Sequence, residues 1–135
     1  MTTRQGFLPV SGSPGLTPVW EWLPAEAITP KIGLALTWDA SSGQLEVVGT
    51  GKPDYICMCE ATAAITAGTL IPVMKVDGWK FETILHAADS GIKPGVKRDI
   101  SSGGLELSTA PSYNHVHVTQ VFGKAAGDAV RGYFV

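Results

Sequence analysis

His115 and His117 stand two apart among valines (Val116, Val118, Val121), so on a strand both imidazoles point to one face. Such a pair is the seed of a metal site, or of a general base with a partner. No carboxylate or third histidine is adjacent, and a surface or interface strand with an outward histidine face explains the pattern equally well. His86, before Ala87-Ala88-Asp89, reads as a loop residue. Cys57 and Cys59 also share a strand face. A disulfide between them would close a very small, strained ring. Zinc would need more ligands, and there is no second cysteine pair. The expectation is a reduced, buried pair that packs as two small hydrophobes.

Asp39, Glu46, Asp99 and Glu106 recur at matching places and would serve an enzyme as symmetric acids. Turn chemistry explains them more simply: each Asp opens an Asx-type turn, and each Glu faces solvent from a half-buried strand. Neither a Gly-x-Ser-x-Gly elbow nor a His-Glu-x-x-His helix motif occurs. The residues offer no catalytic constellation. The expectation is a protein that is not an enzyme and holds no metal and no cofactor.

The elements that position these residues read as strands. From Ile28 onward, short apolar runs rich in Val, Ile, Leu, Thr and aromatics alternate with turn signals. The pattern predicts strands over residues 33–38, 44–48, 55–60, 70–76, 80–85, 104–108, 115–122 and 129–135. Asp77-Gly78 between Val76 and Trp79 is a tight hairpin signal. No segment keeps helical periodicity. Residues 61–67 are the one possible helical turn, and Thr62, Ile65 and Thr66 there are β-branched. The expected fold class is all-β, a small antiparallel β-barrel or β-sandwich.

The pattern is also duplicated. Residues 39–47, Asp-Ala-Ser-Ser-Gly-Gln-Leu-Glu-Val, match residues 99–107, Asp-Ile-Ser-Ser-Gly-Gly-Leu-Glu-Leu, with identity at six of nine positions. Ala67-Gly68 before one apolar run matches Ala126-Gly127 before another, at nearly the same offset. Two copies of a β unit are expected to pair into one closed or nearly closed sheet, which removes exposed edges.

Residues 1–27 differ from the rest and are expected to form an extended N-terminal arm on a barrel domain of residues 28–135. They hold Pro9, Pro14, Pro18 and Pro24 and the turning stretch Ser11-Gly12-Ser13-Pro14-Gly15. Yet they carry Phe7, Leu8, Val10, Leu16, Val19, Trp20, Trp22 and Leu23. A free tail is normally polar, so this arm either wraps its own domain or docks on another chain. The docking reading makes those eight residues a capsid or subunit interface and predicts that the barrel still folds without residues 2–23.

With 10 Lys plus Arg against 12 Asp plus Glu, the net charge of −2 gives no support for generic nucleic-acid binding. No apolar run approaches the ~20 residues of a membrane span, and Met1-Thr2-Thr3-Arg4-Gln5-Gly6 has no apolar leader core. Charged residues are 16% of the chain, below the usual share of about 25%, which suits a protein whose surface is partly covered by a partner.

Ile32-Gly33-Leu34-Ala35-Leu36, then Lys52-Pro53-Asp54-Tyr55-Ile56-Cys57-Met58, then Ala67-Gly68-Thr69-Leu70-Ile71-Pro72-Val73 resemble small bacteriophage capsid decoration, or cement, proteins. The ending Ala125-Ala126-Gly127-Asp128-Ala129-Val130-Arg131-Gly132-Tyr133-Phe134-Val135 fits the same pattern. The resemblance covers residues 30–135 and rests on β-turn grammar. It implies a small β-barrel with an N-terminal arm, made in the bacterial host cytoplasm and placed on the outer capsid surface of the virion. Its partner would be the major capsid protein, and its own assembly a homo-oligomer, with a trimer favoured. The competing reading is a small ligand- or carbohydrate-binding β-barrel module, with Trp38, Tyr55, Trp79 and Tyr113 as a stacking platform.

Overall fold

A computed structural model describes residues 5–135. The chain is all-β, and among the described residues no helix is long and apolar enough to cross a membrane. Strict alternation builds a first ring. In β2 (Trp20–Ala25), Leu23 and Ala25 turn inward while Trp20 and Trp22 turn outward. The strands β3 (Ala35–Asp39), β4 (Gln44–Val47), β5 (Tyr55–Cys57) and β6 (Thr69–Lys75) complete a closed barrel in the order β2-β4-β3-β5-β6. Its antiparallel ladders are closed by one parallel contact, Ala25 beside Leu45. Leu36, Leu45, Cys57, Ile71 and Val73 fill the interior.

The second half repeats this circuit more loosely. The strands β7 (Trp79–Ile84), β10 (Ala129–Phe134), β9 (Val116–Val121) and β8 (Lys97–Arg98) pair in that order, all antiparallel. Beyond β8, Ile100 bridges Leu107 antiparallel, and Leu107 bridges Leu85 in parallel just past β7. These bridges stand where β3, β4 and β2 meet in the first half. The closing hydrogen bonds correspond as well. Glu26 N donates to Leu45 O as His86 N donates to Leu107 O, and Gly68 N donates to Ala25 O as Gly127 N donates to Leu85 O. The duplication is therefore visible in the topology, but the copies do not merge into one sheet as the sequence suggests. Each curls on itself.

The expected strand over residues 104–108 does not form. In the sequence repeat Gly104 matches Gln44, and it adopts φ +72°. Its carbonyl accepts from Ala35 N, while Leu105 O accepts from Gly6 N and from Thr83 Oγ1. This segment is spent on joining the copies, which leaves only single bridges for its own ring.

The boundary between an arm of residues 1–27 and a barrel of residues 28–135 is also corrected. Residues 1–4 lie outside the described residues. Of the rest, β1 (Leu8–Gly12) adds to β7 as an edge strand with a bulge at Val10, a device that discourages further pairing. β2 is a stave of the barrel and pairs with β6 at six successive positions. Phe7 is 2% exposed and packs against Phe134 in the larger core. That core lies between the outer wall of the barrel (Ala35, Ile56, Met74) and the inner face of the second sheet (Phe81, Val116, Val118, Val130). Apolar surface this large is better satisfied within the chain than left on a tail.

Gly33 marks the tightest junction. It has φ +87°, its carbonyl accepts from Phe7 N, and an added Cβ would lie 2.6 Å from that nitrogen. Gly33→Ala is expected to cost more than about 3 kcal/mol, from strain and backbone displacement together. Gly43→Ala, at φ +68° in open space, should cost only about 1 kcal/mol. Urea unfolding of the two variants beside the parent chain checks the contrast.

A second support is the ion pair of Arg98 Nε with Asp89 Oδ2 at 2.8 Å, nearly shielded from solvent. The hydrogen bond from Arg98 holds the Asp89 carboxyl below its ordinary value of 3.8. Because the folded value is the lower one, the pair contributes fully above about pH 3.8 and loses its contribution as pH falls through the folded value. Asp89→Asn is expected to destabilise the chain by about 3 kcal/mol near neutral pH. The difference from the parent should shrink in strong acid, as read by denaturant unfolding across that range.

Candidate interaction surface

The barrel's outer wall on β2 and β6 carries an apolar stripe. Trp20 faces Met74, Trp22 faces Pro72, and Pro24 faces Leu70 across the ladder. The second half of the chain covers Met74. Past that cover the stripe runs on uncovered, with Trp20 56% exposed, Trp22 68% and Leu70 56%. The two tryptophans therefore sit on a rigid closed sheet rather than on a mobile arm, and no folding of that segment is needed before contact.

The eight expected interface residues separate into three groups. Trp20, Trp22, Val10, Leu16 and Val19 are exposed; Leu16 lies over Gly78 at the turn between β6 and β7. Leu8 is half-buried, beside Glu82. Phe7 and Leu23 belong to the two cores and cannot serve a partner. The sequence placed Trp20 and Trp22 on one face correctly, but it missed Leu70 and Pro72. They lie in a segment read only as a strand, and pairing with β2 is what brings them alongside.

His115 and His117 are not a joint site: Nδ1 of His115 bonds to Val135 O, while His117 stacks on Tyr133 with ring centres 4.9 Å apart. The Cys57 and Cys59 sulfurs are free thiols 3.8 Å apart, and burial pushes the Cys57 thiol up to about 12, so it is a poor nucleophile at neutral pH. Asp39 forms the expected turn, its Oδ1 accepting from Ser41 N and Ser41 Oγ. Asp99 does not. Its Oδ1 accepts from Tyr113 N and Asn114 N and ties down a loop far along the chain.

The two copies differ chemically at equivalent places. Glu26, Asp39 and Glu46 bring carboxylate oxygens within 4.8 Å of one another. A hydrogen bond with Asp39 raises the Glu26 carboxyl, while the Ser41 hydroxyl leads the groups that lower Asp39. Such a pair holds one proton more readily than either acid alone. In the second copy His86 stands for Glu26, and its Nδ1 lies 3.1 Å from Glu106 Oε1. The four aromatics of the binding-module reading are likewise dispersed. Trp38 meets Tyr55 edge-on at 6.0 Å, Trp79 lies against Gly12 in the other sheet, and Tyr113 is on a loop.

No model of a known protein family matches the chain, and no curated protein matches it.

Proposed function

We propose that this chain is a viral structural protein, a capsid decoration or cement protein that binds the outer surface of a bacteriophage head and stabilises the expanded shell. The observation that carries the reading is the uncovered Trp20–Trp22–Leu70 stripe on a closed barrel wall. A cement protein works by adhesion. It needs a body that does not deform and a preformed apolar surface that a partner can cover. Tryptophan is enriched at the centres of such contacts, where it combines large area with few rotatable bonds. The partner is the major capsid protein, met at the capsid surface of the virion. Self-association of the decoration protein, with a trimer favoured, would set several stripes on one site and multiply their effect.

The direct test is addition of purified protein to expanded empty shells of the host phage, followed by sedimentation. Saturable co-sedimentation with expanded shells, and little with unexpanded ones, supports the reading. Failure to co-sediment with either form overturns it.

A further inference from the structure

The five-stranded sheet β1-β7-β10-β9-β8 has an outer face that the shell-binding stripe does not use. Register places one row of side chains across it. Ser11 pairs with Lys80, Tyr133 follows the Gly132–Phe81 pair and so lies beside Lys80, His117 pairs with Tyr133, and Lys97 pairs with His117. Four strand spacings make this row about 19 Å long. Its middle is an aromatic shelf, the His117 and Tyr133 rings stacked within 18° of parallel at 4.9 Å, so that each covers one face of the other and keeps its opposite face for a ligand. At its β1 end is an open hollow of about 410 Å³ lined by Ser11, Ser13, Trp79, Lys80 and Tyr133. Gly12 lets the Trp79 indole lie against the backbone there, which gives the hollow an aromatic wall.

Charge singles out the same row. The chain is net negative, yet this face presents Lys80, Lys97 and Arg131 against one acid, Glu82. That acid is already paired, with Arg131 Nε 2.9 Å from its Oε1. Among the described residues, Lys80 and Lys97 have no ion-pair partner. They flank the aromatic shelf on either side, within reach of one ligand lying across it.

We propose that this row binds an acidic saccharide, a short chain of sugars that carry carboxylates. Each part of the row answers a part of that ligand. Aromatic faces carry negative π density and accept the C–H face of a pyranose ring. Lys80 and Lys97 pair with carboxylates, and the Ser11 and Ser13 hydroxyls exchange hydrogen bonds with sugar hydroxyls. A simple anion would use the lysines and leave the shelf idle; a neutral sugar would leave both lysines unused. The proposal does not depend on shell binding and stands or falls separately.

The test is calorimetric titration of the full chain with trigalacturonic acid and with a glucuronate-containing tetrasaccharide, beside maltotriose and inorganic phosphate. At least one acidic oligosaccharide should bind at least about tenfold tighter than maltotriose and phosphate. Lys80→Glu and Tyr133→Ala should each weaken that binding at least about tenfold, while the melting transition shows the variants folded. Trp22→Ala, on the other surface, should leave it unchanged. Binding by neither acidic oligosaccharide overturns the proposal. So does binding that both row variants leave intact, or binding that phosphate matches, which would mark a site for any anion.

Discussion

Replacing Trp20 and Trp22 together by alanine should weaken attachment to expanded shells by about a thousandfold while leaving the protein folded. Each indole already lies partly against the barrel wall, with 56% and 68% of its surface still exposed. On an aromatic side chain of about 150–250 Å², the surface left for a partner is about 240 Å² for the pair. At about 25 cal/mol per Å² its burial is worth about 6 kcal/mol before association costs. Truncation of central aromatics in protein interfaces commonly removes about 2 kcal/mol or more apiece, which gives the thousandfold. Because both side chains point away from the barrel interior, the melting temperature should move by only a few degrees. Quantitative co-sedimentation at several protein concentrations reads the affinity, and a melt of the free protein reads the fold. Unchanged co-sedimentation would remove the stripe from the interface.

Deleting residues 2–23 should destroy the fold rather than release an intact barrel. The cut takes away β1, most of β2 and Phe7. Loss of β2 opens the barrel along a ladder of six paired positions on β6 and uncovers Leu45 and Ile71. Loss of Phe7 leaves a void against Phe134. Phe7→Ala alone should cost about 3–5 kcal/mol, a large part of the 5–15 kcal/mol that holds a domain together. The truncated chain is expected to lack a cooperative melting transition and to aggregate, with Phe7→Ala folded but markedly less stable. Circular dichroism melts of both variants check this. A truncated chain that melts like the parent would restore residues 1–27 as a dispensable arm.

How far the sequence could be read follows from how local each signal is. The all-β class was legible because alternation and turn chemistry act within a few residues: Asp77-Gly78 makes a tight turn, with Trp79 N donating to Val76 O, and Asp39 bonds to its own turn as the spacing implies. The hairpin expected at Asp77-Gly78 does not form, because the strands on either side of that turn pair in different sheets. The duplication was legible for the same reason, since the turn residues of both copies answer to local backbone geometry. A further sign lay unread. Trp20 and Trp79 open strands of equal length at the offset that also separates Ala67 from Ala126. It would have placed β2 in the first copy rather than in an arm.

What the tertiary structure alone decided concerns partners far apart in the chain. Pro9, Pro14, Pro18 and Pro24 argue locally for an arm, yet the ladder to β6 and the burial of Phe7 outweigh that composition. The two matching turns diverge although each Asp has a serine two residues on: Asp39 bonds to Ser41, whereas Asp99 takes the amides of Tyr113 and Asn114 brought to it by folding. Leu70 and Pro72 join Trp20 and Trp22 only through cross-strand register, and Lys80, Tyr133, His117 and Lys97 form a row only because four separate strands are hydrogen-bonded side by side. Alternation sets which face of a strand a side chain takes. Which strand lies next to it depends on hydrogen bonds between backbones remote in sequence, and those are chosen by the burial of the whole chain at once.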